Sequence, residues 1–306
     1  MAHAPITQSP DWQVERLDLD AYLARIGYDG RREPTIASLE ALYRGHHAAI
    51  PFENVTALLG DHVPLDLDAL QAKMVEHRRG GYCHEHVMLF GAALERLRFP
   101  VTRLAARVRP RAPRVLPRTH LLLATEVAGD RLICDIGFGA GVLGPLPLTS
   151  STTRQGGWDY RLEPHGPEWL LSGRGTGPWE DLHVFTEAPQ VPADIEMANH
   201  FVATSPHSPF ARRLIVMRVD ERVRRTLLDR TLITEYADGH RDAREVTTAD
   251  ALTVLWEVFD VHLDADDEAR LRRHLDGTSR ATAPDADAPS HPHDPHDREE
   301  VTADVL

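Results

Sequence analysis

Cys83 is one of two cysteines in the 306 residues, and its local sequence suits nucleophilic chemistry. A cysteine attacks as its thiolate, so it needs a base or a positive field that lowers its pKa from about 8.5. Cys83 follows Gly80-Gly81, which allows a sharp backbone turn, and it opens a helical pattern whose unpaired N–H groups favour an anion. Because a free cysteine is most often a buried packing residue, Cys83 alone does not establish a nucleophile.

A histidine and an aspartate lie in a segment that reads as a β-hairpin, residues 119–138, with a turn near Gly129 and Asp130. Side chains alternate between the two faces of a strand. With an even number of loop residues, two positions of a hairpin separated by an odd number therefore share a face. His120 and Asp135 differ by 15 positions, so we expect them to lie on one face, close enough to hydrogen-bond.

The order Cys83, His120, Asp135 fits one kind of chemistry. A Cys–His pair oriented by a carboxylate is the general arrangement for acyl transfer through a thioester, in which the imidazole takes the thiol proton and the carboxylate fixes its tautomer. Cys134 is adjacent to Asp135 and is expected to point to the opposite face of the strand. A strand histidine or aspartate is usually structural when it occurs singly, so the combination carries the hypothesis.

Helical patterns occupy the first hundred residues. They cover 18–26, a stretch capped by Thr35, a stretch from 66 or 68 towards 77, and a stretch after the RRGGYC motif that Pro100 ends. From residue 101 short β-like runs predict an antiparallel sheet or barrel. From about residue 199 two strand regions are predicted, the second holding an Asp238-Gly239 turn, followed by helices over 249–259 and 264–275, the latter closed by Gly277.

The composition of the chain argues against several classes of function. The formal net charge of −13 argues against general nucleic-acid binding. No apolar run approaches the roughly 18 residues of a membrane span, and the first residues do not resemble a secretory leader, so we expect no membrane partner and a cytoplasmic protein. Two cysteines in a chain of this length do not make a disulfide framework.

The final residues have a distinct composition. They are rich in Pro, Asp, His and Ala and have little to bury, so we predict a disordered tail over 278–306. The HPHDPH cluster within it is interpreted as solvated polar sequence rather than a metal site.

Five stretches in the same order resemble the arylamine N-acetyltransferase family. They are IPFENVTALLG (50–60), RRGGYCHEH (78–86), THLLLATEV (119–127), LICDIGFG (132–139) and NHFVATSPHSPF (199–210). The resemblance implies an α+β fold with a cysteine-protease-like Cys-His-Asp core. Its parts would be a helical bundle over 1–98, an antiparallel β-barrel over 99–195 and an α/β lid over 196–277.

The same resemblance implies roles for individual residues. Cys83 would carry an acyl thioester, with His120 as its base and Asp135 as the orienting carboxylate. Glu53 and Arg79 look like a buried pair that shapes the site. Phe52 and Phe138 match positions near the acceptor pocket, and residues similar to coenzyme-contacting positions are Thr119, Gly139, Thr204 and Ser205.

The resemblance also implies an activity. Cys83 would accept an acetyl group from acetyl-CoA and pass it to an arylamine or arylhydrazine in a ping-pong reaction that needs no metal, a role typical of xenobiotic metabolism. Because coenzyme A is polyanionic and the chain is acidic, binding would depend on local arginines, backbone N–H groups or a helix N-terminus. A homo-oligomer is left open.

Three alternatives remain at this point. The first is an amide synthase that releases or cyclises an aryl-amine polyketide from a carrier protein with the same three residues. The second is an inactive relative that only binds an aromatic ligand, and the third is a cysteine protease. The sequence also departs from the family pattern: Val87 stands where relatives often carry Asn, and His84 and His86 place extra imidazoles beside the nucleophile. We expect these departures to bear on acceptor choice or on the pKa of the thiol.

Overall fold

The computed structural model describes residues 11–109 and 115–281. Its first part is helical, as predicted, with one short strand. These elements are α1 Leu19–Arg25, α2 Ile36–Ala49, β1 Phe52–Glu53, α3 Val55–Leu58, α4 Leu67–Leu70, which continues as a π-helical segment Gln71–Glu76, and α5 Cys83–Arg96.

The predicted helix starts are confirmed by their caps. The side chains of Asp18, Thr35 and Asp66 each accept a hydrogen bond from a backbone N–H three residues further on. Such caps satisfy donors that a helix cannot pair internally and stabilise each helix by about 1 kcal/mol. The α5 helix ends at Arg96, two residues before Arg98 adopts a positive φ of 66°.

Among the described residues, the middle of the chain forms an eight-stranded antiparallel sheet in the order β5-β4-β3-β2-β9-β8-β7-β6. The strands are β2 Val101–Val108, β3 His120–Val127, β4 Asp130–Cys134, β5 Leu146–Pro147, β6 Ser151–Gln155, β7 Trp158–His165, β8 Glu168–Arg174 and β9 Glu180–Pro189.

This sheet is nearly closed. Its two edge strands, β5 and β6, are consecutive in the chain and are joined by residues 148–150 alone. Four peptide units reach at most about 14 Å, so the two edges must curl towards each other. The predicted antiparallel sheet or barrel is therefore confirmed, and the fold class is α+β.

The last part of the described chain mixes strands and helices. It contains α6 Pro192–Thr204, β10 Ile215–Val219, β11 Val223–Leu228, β12 Thr231–Tyr236, β13 Arg241–Glu245, α7 Thr248–Glu257 and α8 Ala265–Ala281. The sheet here, counted over the described residues, has five strands in the order β1-β10-β11-β12-β13. Its first strand comes from the helical part, so this sheet joins residues 52–53 to β10.

The helix that begins at Cys83 lies at the centre of the molecule. Twelve of the 14 residues of α5 are buried, and the helix packs against β2 and β3. Val87 is fully buried in the largest apolar cluster. A helix buried on every side holds its first residue inside the protein, which explains why Cys83 is only 5% exposed.

Several elements escaped prediction. The α6 helix was not predicted, because its buried face includes the polar Asn199 and the apolar period is weak. Strand β11 carries two adjacent arginines, and β6 is the polar run STTRQ, none of whose residues is buried. Neither sequence therefore shows the alternation of apolar and polar residues that predicts a strand. The predicted end of the last helix at Gly277 is wrong, since α8 continues to Ala281. One glycine costs a helix only about 1 kcal/mol, and the next proline in the sequence is Pro284.

Part of the predicted tail, residues 282–306, lies outside the described residues, and the domain boundaries stay a prediction. Within the described residues, no helix is both long enough and apolar enough to span a bilayer.

Candidate active site

Cys83 is the first residue of α5, and the backbone before it is held by hydrogen bonds. The backbone N–H of Tyr82 donates to Glu85 Oε2 at 3.0 Å, and Lys73 Nζ donates to Glu85 Oε1 at 2.7 Å. Burial raises the pKa of Glu85, while Lys73 counters this effect. The carboxylate therefore caps the helix and is itself paired.

The loop before Cys83 pairs with β1. Glu53 N–H donates to Gly81 O at 2.9 Å, and Gly81 N–H donates to Pro51 O at 3.2 Å. A Cβ on Gly80 would lie 2.1 Å from Pro51 O, so only glycine permits this approach. The RRGG segment thus fixes the nucleophile's helix against β1.

The hairpin that carries His120 and Asp135 has the predicted register. Val127 pairs with Asp130 across the two-residue turn Ala128-Gly129, and both turn residues have positive φ, as a type I′ turn requires. The even loop places His120 and Asp135 on one face, and His120 Nε2 lies 2.6 Å from Asp135 Oδ1.

The two chain segments meet at the thiol. A Cβ on Gly137 would lie 2.7 Å from Cys83 Cα, so the backbone after β4 packs directly on the start of α5. The Cys83 thiol and the His120 ring influence each other electrostatically: His120 lowers the pKa of Cys83, and Cys83 raises that of His120. Cys83, His120 and Asp135 therefore form one buried constellation, while Cys134 lies in the core.

A second histidine on Asp135 escaped sequence analysis. His183, on β9, is fully buried, and its Nε2 lies 2.9 Å from Asp135 Oδ2. Its ring also packs 5.1 Å from His120 and 5.3 Å from Phe138, centroid to centroid. Asp135 therefore accepts from two imidazoles, one at each oxygen. His183 comes near Asp135 because β9 pairs with β2. Finding it from the sequence would have required this long-range pairing, which the residue types do not reveal.

The electrostatics of the constellation favour a thiolate and an imidazolium. Burial raises the pKa of Cys83, but interactions with His84 and His120 outweigh it and lower this pKa to about 6. Burial lowers the pKa of His120, but the Asp135 charge and hydrogen bond raise it to about 10. Asp135 is itself held ionised, because the two histidines lower its pKa more than burial raises it. The arrangement can deliver a thiolate nucleophile at neutral pH.

His120, Asp135 and His183 also bring together the kinds of atoms that bind metals. Their nitrogen and oxygen atoms are engaged with one another at 2.6 and 2.9 Å, and both imidazoles donate to the carboxylate. Burial lowers the pKa of His183 despite Asp135, so this ring is neutral. Hydrogen bonding accounts for the cluster.

Phe52 and Phe138 both lie beside the constellation. The Phe138 ring meets His120 edge-on at 5.1 Å, and the Phe52 ring stacks on His86 at 6.3 Å and meets Phe210 edge-on at 6.0 Å. Phe52 belongs to the same apolar cluster as Cys83. One phenylalanine therefore contacts the His120 ring, and the other shares the apolar cluster of Cys83.

Glu53 and Arg79 form the buried pair that the sequence predicts. Arg79 Nε donates to Glu53 Oε1 at 3.0 Å, and Val55 N–H donates to Glu53 Oε2 at 2.7 Å. Arg79 Nη1 also donates to Asp267 Oδ2 on α8 at 3.1 Å. The guanidinium therefore joins the loop before Cys83 to β1 and to the last helix.

The residues predicted to contact the coenzyme do not form one group. Thr119 O lies 3.8 Å from Cys83 Sγ. Gly139 has a φ of 77°, and a Cβ there would lie 2.8 Å from Met217 Sδ and 3.0 Å from the Phe52 ring. Thr204 and Ser205 lie at the end of α6, where Thr204 Oγ1 donates to His200 O at 2.7 Å.

A cleft of about 440 Å³ lies between α6, the 61–67 loop and the N-terminal segment. Thr204 lines it, but Thr119, Gly139 and Ser205 do not. Its walls carry the carboxylates of Asp11, Asp61, Asp66 and Glu196. This negative lining opposes the binding of a polyanion there.

A buried chain of hydrogen bonds, here named the buried relay, supports α5 from behind. It runs from Tyr22 OH to His46 Nδ1 at 2.8 Å, from His46 Nε2 to His86 Nδ1 at 2.8 Å, and from His86 Nε2 to Pro51 O at 3.2 Å. Because a carbonyl only accepts, His86 carries its proton on Nε2, and His46 must then donate from Nε2 and accept from Tyr22. Both rings are neutral. Burial lowers the pKa of His46 and lowers that of His86 to about 4.

Comparison with known proteins identifies relatives over most of the chain. A family profile described as N-acetyltransferase matches residues 35–268. A Mycolicibacterium smegmatis protein named arylamine N-acetyltransferase is 36% identical over 272 residues, covering 85% of this chain and 99% of that protein.

Solved structures agree with the sequence relatives. A Nocardia farcinica arylamine N-acetyltransferase is 44% identical, covers 89% of this chain and 100% of that chain, and has a TM-score of 0.83. A Mycobacterium marinum arylamine N-acetyltransferase, solved in complex with CoA, is 33% identical, covers 85% of this chain and 99% of that chain, and has a TM-score of 0.79.

Proposed function

The chain belongs to the arylamine N-acetyltransferase family, and we propose that it transfers an acetyl group from acetyl-CoA to an arylamine or arylhydrazine nitrogen through a thioester on Cys83. One observation carries the proposal: a buried cysteine at a helix N-terminus has its pKa lowered by a buried imidazole whose Nε2 lies 2.6 Å from a buried carboxylate. The family relationship makes the chain an acyltransferase.

In the first half-reaction the Cys83 thiolate attacks the carbonyl carbon of the acetyl thioester. The proton taken from the thiol resides on His120, and the Asp135 charge stabilises the resulting imidazolium. The C–S bond to coenzyme A breaks, and the imidazolium is the nearest acid that can protonate the leaving thiolate. Free CoA then departs and leaves acetyl-Cys83 with a neutral His120.

In the second half-reaction the amine attacks the thioester carbonyl. His120, now neutral, accepts the proton that the nitrogen loses as the N–C bond forms. Cys83 leaves as the thiolate, and its depressed pKa makes it a good leaving group. Each step uses only the thiol, the imidazole and the carboxylate of this chain, so we propose that the reaction needs no metal.

The acceptor is proposed to lie against Phe52 and Phe138. Both rings are within the shell that surrounds Cys83 and His120, and aromatic walls suit a flat aromatic amine. For the coenzyme we propose contacts near Thr119, Gly139, Thr204 and Ser205. The position of Thr119 O beside the sulfur supports Thr119 most directly.

An exposed arginine seven residues after Ser205 supports that part of the proposed coenzyme site. Arg212 is exposed at the end of the segment that follows α6, and its guanidinium offers a partner to a phosphate. The acidic cleft beside Thr204 does not suit the coenzyme's phosphates. We therefore propose that Ser205 and Arg212, rather than the residues of the cleft, contact the phosphates.

Intact mass spectrometry after brief incubation with acetyl-CoA and no amine tests the proposal. The wild type should gain one acetyl group and lose it when an arylamine is added. Cys83→Ser should gain nothing, and the matched control Cys134→Ser should behave as the wild type, because Cys134 is buried away from His120. An acetyl group that persists in Cys83→Ser, or no gain in the wild type, would refute the thioester mechanism.

A further inference from the structure

A second imidazole touches the nucleophile. His84 Nδ1 lies 3.4 Å from Cys83 Sγ, within hydrogen-bonding distance for sulfur. The ring is fully buried, and it meets the Tyr82 ring edge-on with centroids 5.6 Å apart. Since the proposed thioester chemistry uses only His120 and Asp135, it leaves this contact without a role.

The surroundings of His84 indicate which nitrogen carries the proton. Its Nε2 is buried and meets no hydrogen-bond partner in the part of the chain that the structure describes. A proton on Nε2 would be an unpaired buried N–H, whereas a proton on Nδ1 can point at the sulfur. A thiolate only accepts hydrogen bonds, so the Nδ1–H form makes the better contact.

His84 also differs from His120 in what stands behind it. His120 donates a hydrogen bond from Nε2 to Asp135, whose charge stabilises an imidazolium. The Nε2 of His84 has no hydrogen-bond partner, and so no carboxylate, among the described residues. His84 can therefore donate a hydrogen bond to the sulfur, but it lacks the Asp–His arrangement that equips His120 for proton transfer.

We propose that His84 is a second hydrogen-bond donor to the Cys83 thiolate, so that two imidazoles hold the nucleophile and only His120 exchanges a proton with it. The inference rests on the proposed function for its role in catalysis, although the contact itself does not. A thioester sulfur is a weak acceptor, so this hydrogen bond stabilises the free thiolate far more than the acetylated enzyme.

The other groups that face the sulfur do not supply the same effect. Thr119 O, at 3.8 Å, can accept only from the protonated thiol and so favours the neutral form. Glu85, on the same helix, is paired with Lys73, and the Tyr82 hydroxyl donates to Asn199. His84 thus adds to His120 and opposes the effect of Thr119 O.

The pH dependence of Cys83 alkylation by iodoacetamide tests this inference, with the modified residue located by mass spectrometry. His84→Phe keeps an aromatic ring but removes the donor, and His84→Asn keeps an amide N–H close to the position of Nδ1. His77→Phe, at an exposed site six residues before Cys83, is the matched control. Thermal melting checks that each variant folds.

The wild type and His77→Phe should share one alkylation midpoint. In His84→Phe the midpoint should rise by about one to two pH units, which is ten- to a hundred-fold less thiolate at a given acidic pH. His84→Asn should stay near the wild type. An unchanged midpoint in His84→Phe overturns the inference, as does an equal rise in His84→Asn, because ring packing would then explain both.

Nuclear magnetic resonance of ¹⁵N-histidine-labelled wild type keeps the inference testable if His84→Phe does not fold. The His84 ring should carry its proton on Nδ1 at pH 8, and a proton on Nε2 would overturn the inference. Alkylation uses no acetyl-CoA, so its result is independent of the mass gain that tests the thioester. A wild type that fails to acetylate therefore refutes the proposed function without deciding the role of His84.

Discussion

Asp135→Asn removes the negative charge that raises the pKa of His120, while it keeps a side chain of nearly the same shape. Asp135 is 1% exposed, and each of its oxygens lies near a histidine Nε2. An asparagine offers one acceptor and one donor, so one histidine must then accept. His183 can do so if its proton moves from Nε2 to Nδ1. Because Nδ1 is buried without a hydrogen-bond partner among the described residues, this shift leaves an unpaired N–H that costs about 1 to 3 kcal/mol. We expect the variant to fold with that loss of stability.

The magnitude follows from the pKa values of the pair. The pKa of His120, raised to about 10, lies above that of Cys83, lowered to about 6, so the proton resides on the imidazole. Without the Asp135 charge, burial lowers the pKa of His120 below about 6.5, and the preference for the ion pair disappears. If the thiol then returns to about 8.5, the thiolate fraction at pH 7 falls about 30-fold.

The loss of tautomer control adds to this fall, so acetylation of Cys83 should slow by a factor on the order of 10³ to 10⁴. Rapid-quench mixing with acetyl-CoA, followed by intact mass spectrometry, measures the single-turnover rate at pH 7. Asp130→Asn, an exposed change at the start of the same strand, is the control. A variant within tenfold of the wild type, with an unshifted alkylation midpoint, would refute the role given to Asp135.

Three further predictions concern the structure around the site. The pKa of His86 in the buried relay is about 4, so the unfolded chain binds more protons below about pH 6.5. Stability should therefore fall as the pH drops from about 6.5 to 4, by about 3 kcal/mol for His86 alone. Urea melts at each pH measure this fall, and a His86→Gln variant with an equally steep profile would contradict it. Glu53→Met should destabilise the fold by about 3 to 5 kcal/mol, because it leaves Arg79 buried without that partner. The double variant with Arg79→Met should lose less than the two single losses combined in denaturant melts, and full additivity would argue against the pair. Gly137→Ala should reduce turnover at least about 100-fold by pushing the nucleophile's helix away. Gly177→Ala, where a Cβ meets nothing within 4 Å, should not; equal activities in the transfer assay would rule out the steric argument.

The hairpin shows what the sequence can predict. The parity between His120 and Asp135 depends on a single local quantity, the number of turn residues, and Ala128-Gly129 supplies an even number. The start of α5 is equally local, because RRGG ends in residues that can turn and an apolar helical pattern follows. Features that depend on about 20 consecutive residues could therefore be predicted from the sequence. They include the positions of Cys83, His120 and Asp135.

His183 and α6 show what it cannot predict. His183 reaches Asp135 only because β9 pairs with β2, between strands some 80 residues apart, and no local pattern gives that pairing. The α6 helix buries Asn199, which donates to Val63 O at 2.9 Å and accepts from the Tyr82 hydroxyl. A polar residue that finds its partners in a distant loop looks exposed in sequence, so the helix showed no clear apolar face.

The long-range contacts also explain why the site forms only in the complete fold. Cys83 is placed by the helical part, and His120 by the eight-stranded sheet, and the two meet where Gly137 packs on the start of α5. Arg79 then joins the loop before Cys83 to Glu53 and to Asp267 on the last helix. Each part contributes a group that is costly to bury alone, namely a thiolate, an imidazolium or a guanidinium. The thiol is consequently activated only when the parts are assembled. A change at any of these contacts should therefore reduce both the stability of the fold and the rate of Cys83 acetylation.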